Sequence, residues 1–165
     1  LAVDLCSGSG ALAIAIANEV PGARVIAVES NGDAAEWLRR NAAGSGVELV
    51  VADIADATLL STLRGEVDAV VCNPPYVPTG TEIAAEVRHD PSDAVFAGPA
   101  GLAVIPYAVA RAAELLRPGG VLALEHDESH ENPVPELLRG DGRWRDIAGH
   151  RDLAGRPRYA TAVRA

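Results

Sequence analysis

Four consecutive residues, Asn73-Pro74-Pro75-Tyr76, carry the most pointed chemistry in this chain. A carboxamide is followed by two residues whose φ is locked by a ring, and then by a phenol. Pro74 pushes Asn73 toward an extended backbone, and Pro75 restricts Pro74 in the same way. The carbonyls of this run are therefore held in fixed directions. A rigid amide, fixed acceptors and an adjacent aromatic ring make a receptor for a planar group bearing N–H donors. A proline-rich turn that merely ends a strand has the same composition, so the rest of the chain must decide.

A second group of residues points to a nucleoside. Cys6-Ser7-Gly8-Ser9-Gly10 follows an apolar run and opens a helix. Glycines there let backbone approach a ligand, and the helix N-terminus offers free N–H groups. With Ala13 the turn also satisfies the G-x-G-x-x-A dinucleotide fingerprint, so alone it does not separate ligands. Glu29 closes the second apolar run, where an acid can accept both hydroxyls of a ribose; otherwise it is a strand-end carboxylate facing water. Asp53, or the backbone of Ile54, can meet an adenine amino group, and Asp53 also suits a helix N-cap. Asp4 either holds the glycine turn or meets a ligand ammonium, the first being favoured.

These residues need a scaffold that brings them to one edge. Val67 to Cys72 is apolar except for Asp68 and reads as a buried strand stopped by the two prolines. Asn73 then lies at the carboxyl end of a strand, where open α/β sheets bind ligands. Residues 1–5, 24–29 and 47–52 read as three earlier strands. Helices are expected over 11–20, from an Asn31 or Asp33 cap to about residue 43, briefly within 53–64, and over 101–117. The 11–20 helix is apolar nearly all round and is expected to be buried. Pro118-Gly119-Gly120 turns the chain into a fifth strand over 121–125, and a short helix is expected near 134–139. Residues 77–100 lack periodicity, as functional lids or disordered segments do. Strands alternating with helices predict a doubly wound parallel α/β sheet. The last two strands, 144–149 and 158–163, have too short a link for a crossover, so the sheet should end in an antiparallel hairpin.

The 165 residues suit one domain, and with only six aromatic side chains its core must be aliphatic. A net charge of −9 argues against a nucleic-acid footprint or an anionic membrane surface, Arg156, Arg158 and Arg164 being a small local exception. Cys6 and Cys72 lack a CxxC partner, a reduced, cytoplasmic pattern, and are read as small buried thiols. No signal peptide, lipidation site or membrane-spanning run is evident. The chain lacks methionine and opens on a core strand, so it is expected to be a fragment. The polar stretch Glu125-His126-Asp127-Glu128-Ser129-His130-Glu131 matches no standard metal motif and is expected to be mostly a solvated loop; no metal is expected. Trp37 and Trp144 read as packing residues, and Arg39 and Arg40 as a solvated helix face.

Glycine turn, Glu29, Asp53 and Asn73 thus fall at successive strand ends, which suits a nucleoside-bearing cofactor beside a polar slot. S-adenosylmethionine fits better than a dinucleotide. There is no second glycine-rich phosphate cradle, and the Asn-Pro-Pro-Tyr run calls for an amine-like or amide-like substrate.

Asp4-Leu5-Cys6-Ser7-Gly8-Ser9-Gly10, Asn73-Pro74-Pro75-Tyr76, Glu86-Val87-Arg88-His89-Asp90-Pro91 and Asp152-Leu153-Ala154-Gly155-Arg156-Pro157-Arg158 together resemble the release-factor glutamine methyltransferases, the HemK/PrmC group. The resemblance runs the length of the chain. Asn-Pro-Pro-Tyr alone is shared with many amino-group methyltransferases; its combination with the other segments is more specific. The resemblance implies a seven-stranded, Rossmann-like class I sheet of order 3-2-1-4-5-7-6 with the last strand antiparallel, residues 1–165 forming one catalytic domain. It implies methyl transfer from S-adenosylmethionine to the side-chain amide nitrogen (N5) of a glutamine in a peptide chain release factor. Asp4, Cys6, Ser7, Gly8, Ser9, Gly10, Glu29, Asp53, Ile54 and Asn73 would bind the donor. Asn73, Pro74, Pro75 and Tyr76 would hold the glutamine, with Asn73, Pro74 and Tyr76 carrying the chemistry. The chain departs from the family in lacking its helical N-terminal docking domain, at residue 90, and after the fifth strand, where glycine and glutamine are usual. Rival readings are an adenine-N6 or cytosine-N4 nucleic-acid methyltransferase, an inactive donor-binding module and, more distantly, a nicotinamide-dependent dehydrogenase.

Overall fold

The first four strands are β1 (Ala2–Leu5), β2 (Val25–Glu29), β3 (Glu48–Val51) and β4 (Val67–Cys72), followed by β5 (Leu116–Glu125), β6 (Trp144–Arg151) and β7 (Pro157–Arg164). This computed structural model describes residues 1–85 and 87–165. Glu86 and the Arg88 side chain, both in the loop that resembles the methyltransferase family, lie outside the described residues. Among the described residues the strands form one sheet in the order β3-β2-β1-β4-β5-β7-β6. β1 to β5 pair in parallel, and β7 runs antiparallel to both β5 and β6. The expected order and terminal hairpin are both present.

Burial explains why the central strands read as unbroken apolar runs. Every residue of β1 and β2 is buried, because helices cover both faces. Alternation along β2 sends Val25 and Ala27 to one face, with Ala13 of α1 (Ala11–Glu19) and Leu38 of α2 (Gly32–Asn41). Ile26 and Val28 face the larger cluster, which holds Ile105, Ala108 and Leu115 of α4 (Ile105–Leu115) and Leu138 of α5 (Pro133–Asp141). A short α3 (Ser92–Val95) lies between β4 and α4. Asn31 caps α2 as expected, its Oδ1 accepting the Asp33 and Ala34 N–H groups.

Several local expectations need correction. α1 is not buried all round: Ala13 is its one fully buried residue, and Leu12 is 42% exposed. The helix shares a thin face with α2, and no other described element packs over its outer side. Residues 53–64 form turns and a 3-10 segment, Ser61–Leu63, rather than an α-helix. Asp53 accepts the Ala55 N–H and Asp56 the Thr58 N–H, and these side-chain turns compete with helix. α4 begins at Ile105, since Gly101 takes a φ of +68°. β5 begins at Leu116, which pairs with Val67 before the register slips and pairing resumes at Ala69 with Val121. The Pro-Gly-Gly run is thus a bulge within the strand rather than a turn before it. Trp144 is buried as expected, but Trp37 is 58% exposed. In the stretch after β5, Glu128, Ser129 and Glu131 are exposed as expected, but His126 and His130 are buried.

Gly10 sets the entry to α1. Its φ is +92°, and a Cβ there would fall 2.2 Å from Cδ1 of the fully buried Leu38. Gly10→Ala is expected to lower the unfolding free energy by about 2–4 kcal/mol in urea titrations, combining left-handed strain with overpacking. Wild-type stability would contradict this packing.

Candidate active site

Parallel register places the ends of β1, β2, β3 and β4 along one rim. Leu5 pairs with Val28 and Cys72, and Glu29 with Val51. The turns after these strands carry the glycine turn, Asn31, Asp53 and Asn73, so sequence-distant residues share one edge.

Glu29 ties two of these turns together. Its Oε2 accepts the Gly8 N–H at 2.7 Å and its Oε1 accepts the Asn31 N–H at 2.8 Å. Each carboxylate oxygen keeps lone-pair capacity for a ligand hydroxyl. The glycine turn is fixed further where Ser7 Oγ donates to the Val28 carbonyl at 2.9 Å and Asn41 Nδ2 to the Ser9 carbonyl at 3.0 Å. Asp4 Oδ2 accepts the Ala13 N–H at 3.0 Å, so this acid holds the start of α1, the favoured reading. Its Oδ1 is buried and finds no partner among the described residues. Burial pushes the Asp4 carboxyl up to about 7, against the lowering effect of the Ala13 N–H and with a smaller push from Glu29. Cys6 and Cys72 are free thiols at adjacent strand ends, and burial, with Cys6 alongside, pushes the Cys72 thiol up.

A cavity of about 760 Å³ opens on this rim. Asp4, Cys6, Ser7, Gly8, Ser9, Glu29, Asp53, Ile54, Asn73 and Pro75 all line it. Gly10 lies just behind, closing the turn through its N–H to the Ser7 carbonyl. Pro74 is buried, and Tyr76 is half-buried with its hydroxyl donating to Glu125 Oε1 at 2.7 Å; neither is among the lining residues. The Asn73 side chain is exposed, and no described residue bonds it or the Pro74 carbonyl. Asn73 therefore presents an unengaged amide to the cavity that it lines.

Sequence reasoning missed part of the wall. Trp37 lines the mouth, with the Arg40 guanidinium 5.3 Å from its ring centroid. The helical spacing Asp33, Ala34, Trp37 on the segment leaving Glu29 was the available signal. His89, Asp90 and Asp93 enter from the 77–100 loop, within which Val77 and Phe96 form an isolated bridge. This long loop therefore supplies part of the cavity wall.

The charge of the cavity selects its ligand. Asp4, Glu29, Asp33, Asp53, Asp90 and Asp93 line it, and among the described lining residues there is no lysine or arginine. Such a field opposes the diphosphate of a dinucleotide and favours a cation. The orphan Oδ1 of Asp4 and the clamped Glu29 fit S-adenosylmethionine, which carries an ammonium, a sulfonium and a ribose diol.

Residues 1–90 match the methyltransferase small domain family, and the chain belongs to that family. A crystallised SAM-dependent O-methyltransferase from Thermotoga maritima superposes with a TM-score of 0.72 at 15% identity, over 99% of this chain and 58% of that one. In sequence the chain is 51% identical over 163 residues to the release factor glutamine methyltransferase of Mycolicibacterium smegmatis, covering 98% of this chain and 58% of that protein. It is 47% identical over 146 residues to a 4-amino-L-phenylalanine/4-methylamino-L-phenylalanine methyltransferase of Streptomyces pristinaespiralis, covering 87% of this chain and 49% of that protein. The chain thus spans about half the length of the curated relatives it matches. Among the described residues no helix is long and apolar enough to cross a membrane.

The raised Asp4 carboxyl has a stability consequence. Because its folded pKa of about 7 exceeds the ordinary 3.8, the protonated acid favours folding below about pH 4. That contribution is lost as pH rises through about 7. Asp4→Asn removes the titration. Relative to this variant, the ligand-free wild type should lose on the order of 4 kcal/mol of unfolding free energy between about pH 4 and pH 8. Denaturant titrations across that range check it; parallel pH profiles would contradict it.

Proposed function

We propose that this chain is the catalytic domain of an S-adenosylmethionine-dependent methyltransferase that acts on the N5 amide nitrogen of a glutamine in a peptide chain release factor. The observation that carries this reading is the exposed Asn73 side chain on the wall of a carboxylate-lined cavity. Donor and acceptor sites are then contiguous along one rim. Similarity to the mycobacterial release factor enzyme supports the choice of acceptor. The net charge of −9 supports a protein partner rather than a nucleic acid, and the cytoplasm, where release factors work, is the proposed location.

Glu29 would take the ribose hydroxyls, the Asp53-Ile54 turn the adenine, and Asp4 Oδ1 the ammonium. When bound, S-adenosylmethionine supplies an electrophilic methyl group on a sulfonium. An amide nitrogen is a poor nucleophile because its lone pair is delocalised into the carbonyl. Asn73 Oδ1 and the Pro74 carbonyl would accept its two N–H bonds and aim the nitrogen along the rim. The same acceptors stabilise positive charge that grows on the nitrogen as its bond to carbon forms. Pro75 and the Tyr76 ring would wall the amide and keep water out. An N-methylated amide cation is a strong acid, so its proton leaves without a basic side chain.

An arylamine acceptor is a second reading, favoured by the Streptomyces relative, because the same two acceptors suit any planar NH2 group.

Asn73→Ala should cut methyl transfer to a release factor by about 100-fold or more, with the donor Kd shifted by less than about tenfold. Mass spectrometry of the release factor and calorimetry with the donor measure the two. Near-normal methylation by the variant would defeat the proposed role. Methyl incorporation only into an arylamine, or only into DNA or RNA, would replace the acceptor.

A further inference from the structure

Tyr76 is held from two ends by residues that do not line the cavity. Its hydroxyl donates to Oε1 of Glu125, the last residue of β5, at 2.7 Å. Arg158 of β7 lies beside both groups, since Glu125 pairs with Tyr159 across the β5–β7 ladder. The Arg158 Nε is in turn 3.7 Å from Asp152 Oδ2, in the β6–β7 turn. At the other end, a Cβ on Gly101 would fall 2.2 Å from the Tyr76 carbonyl oxygen, so the backbone there is closely packed. His130, whose ring nitrogen bonds the Ala100 carbonyl at 2.8 Å, packs behind Gly101.

Resting on the function proposed above, we propose that Glu125 is a positioning residue, which fixes the Tyr76 ring as the wall of the acceptor slot. Glu125 touches neither substrate nor donor and acts through the phenol. A half-buried hydroxyl without this acceptor must rotate toward water or lose its bond, and the ring turns with it. Arg158 keeps the Glu125 carboxylate in place with its charge. The segment 152–158, far from the tetrapeptide in sequence, thereby supports the acceptor slot. The geometry also removes the Tyr76 hydroxyl from proton transfer. It is already engaged, and burial, followed by Glu125, pushes it up to about 12. Tyr76 therefore contributes a ring face and no base.

The test uses Glu125→Ala and Glu125→Gln, with Tyr107→Phe and Tyr159→Phe in the background so that Tyr76 is the only tyrosine left. Glu125→Ala should lower kcat for methyl transfer to a release factor by about 10- to 100-fold, with donor Kd within about twofold. Glu125→Gln keeps an acceptor oxygen and should recover most of that loss. In Glu125→Ala, ultraviolet titration should show Tyr76 ionising below the wild-type value of about 12, with burial still holding it above the ordinary 10. Adding Glu125→Ala to Tyr76→Phe should cost little more than Tyr76→Phe alone, because the two act as one unit. Full activity in Glu125→Ala, additive losses in the double variant, or unchanged Tyr76 ionisation in Glu125→Ala would overturn the inference. Failure of the wild type to methylate any release factor would instead overturn the proposed function, and the ionisation readout would still judge the Tyr76–Glu125 contact.

Discussion

Two backbone N–H groups meeting one carboxylate hold the working edge of this molecule together. Glu29 accepts from Gly8 and from Asn31, so one side chain joins the turn after β1 to the turn after β2. Gly8 takes a φ of +55°, which a side chain would resist, and Asn31 caps α2. Without this bridge the two helix starts would shift independently, and the proposed ribose site would lose its shape. Parallel register then sets Asp53 and Asn73 along the same edge, because each strand ends level with its neighbours.

Charge gives this edge its direction. Six acidic side chains line the cavity, and burial pushes one of them, Asp4, up to about 7. A ligand of net positive charge relieves the repulsion that these groups create, whereas a diphosphate adds to it. The proposed acceptor side is built from neutral groups, the Asn73 amide and the Pro74 carbonyl, which would suit a nitrogen that becomes positive only during the reaction. The lines of support behind Tyr76 come from β5, β7 and the segment before α4. The carboxyl-end rim therefore draws on the whole sheet.

Much of this was legible in the sequence. The apolar runs of β1, β2 and β4 are long enough and sharply enough ended to fix strands, and the prolines at 74 and 75 place Asn73 at a strand terminus. The short link between β6 and β7 predicted their antiparallel pairing. What escaped was decided by tertiary contacts or by side-chain turns. Asp53 and Asp56 divert residues 53–64 from helix into turns, although their spacing alone suits a cap. Trp37 reads as core by residue type, yet its helical position turns it to the cavity mouth. His126 and His130 sit in a stretch with the composition of a loop, and tertiary contacts bury them, His126 beside β6 and β7 and His130 against Ala100 and Gly101. Leu116 pairs ahead of the Pro-Gly-Gly bulge because Val67 offers it a partner across the sheet, which no local pattern reveals.

The most direct measurement is a crystal structure of the protein with S-adenosylhomocysteine bound. The account predicts both ribose hydroxyls on the Glu29 carboxylate and the thioether sulfur facing the slot between Asn73 and Pro75. A nucleoside bound away from Glu29, or an Asn73 side chain turned into the protein and bonded there, would contradict it.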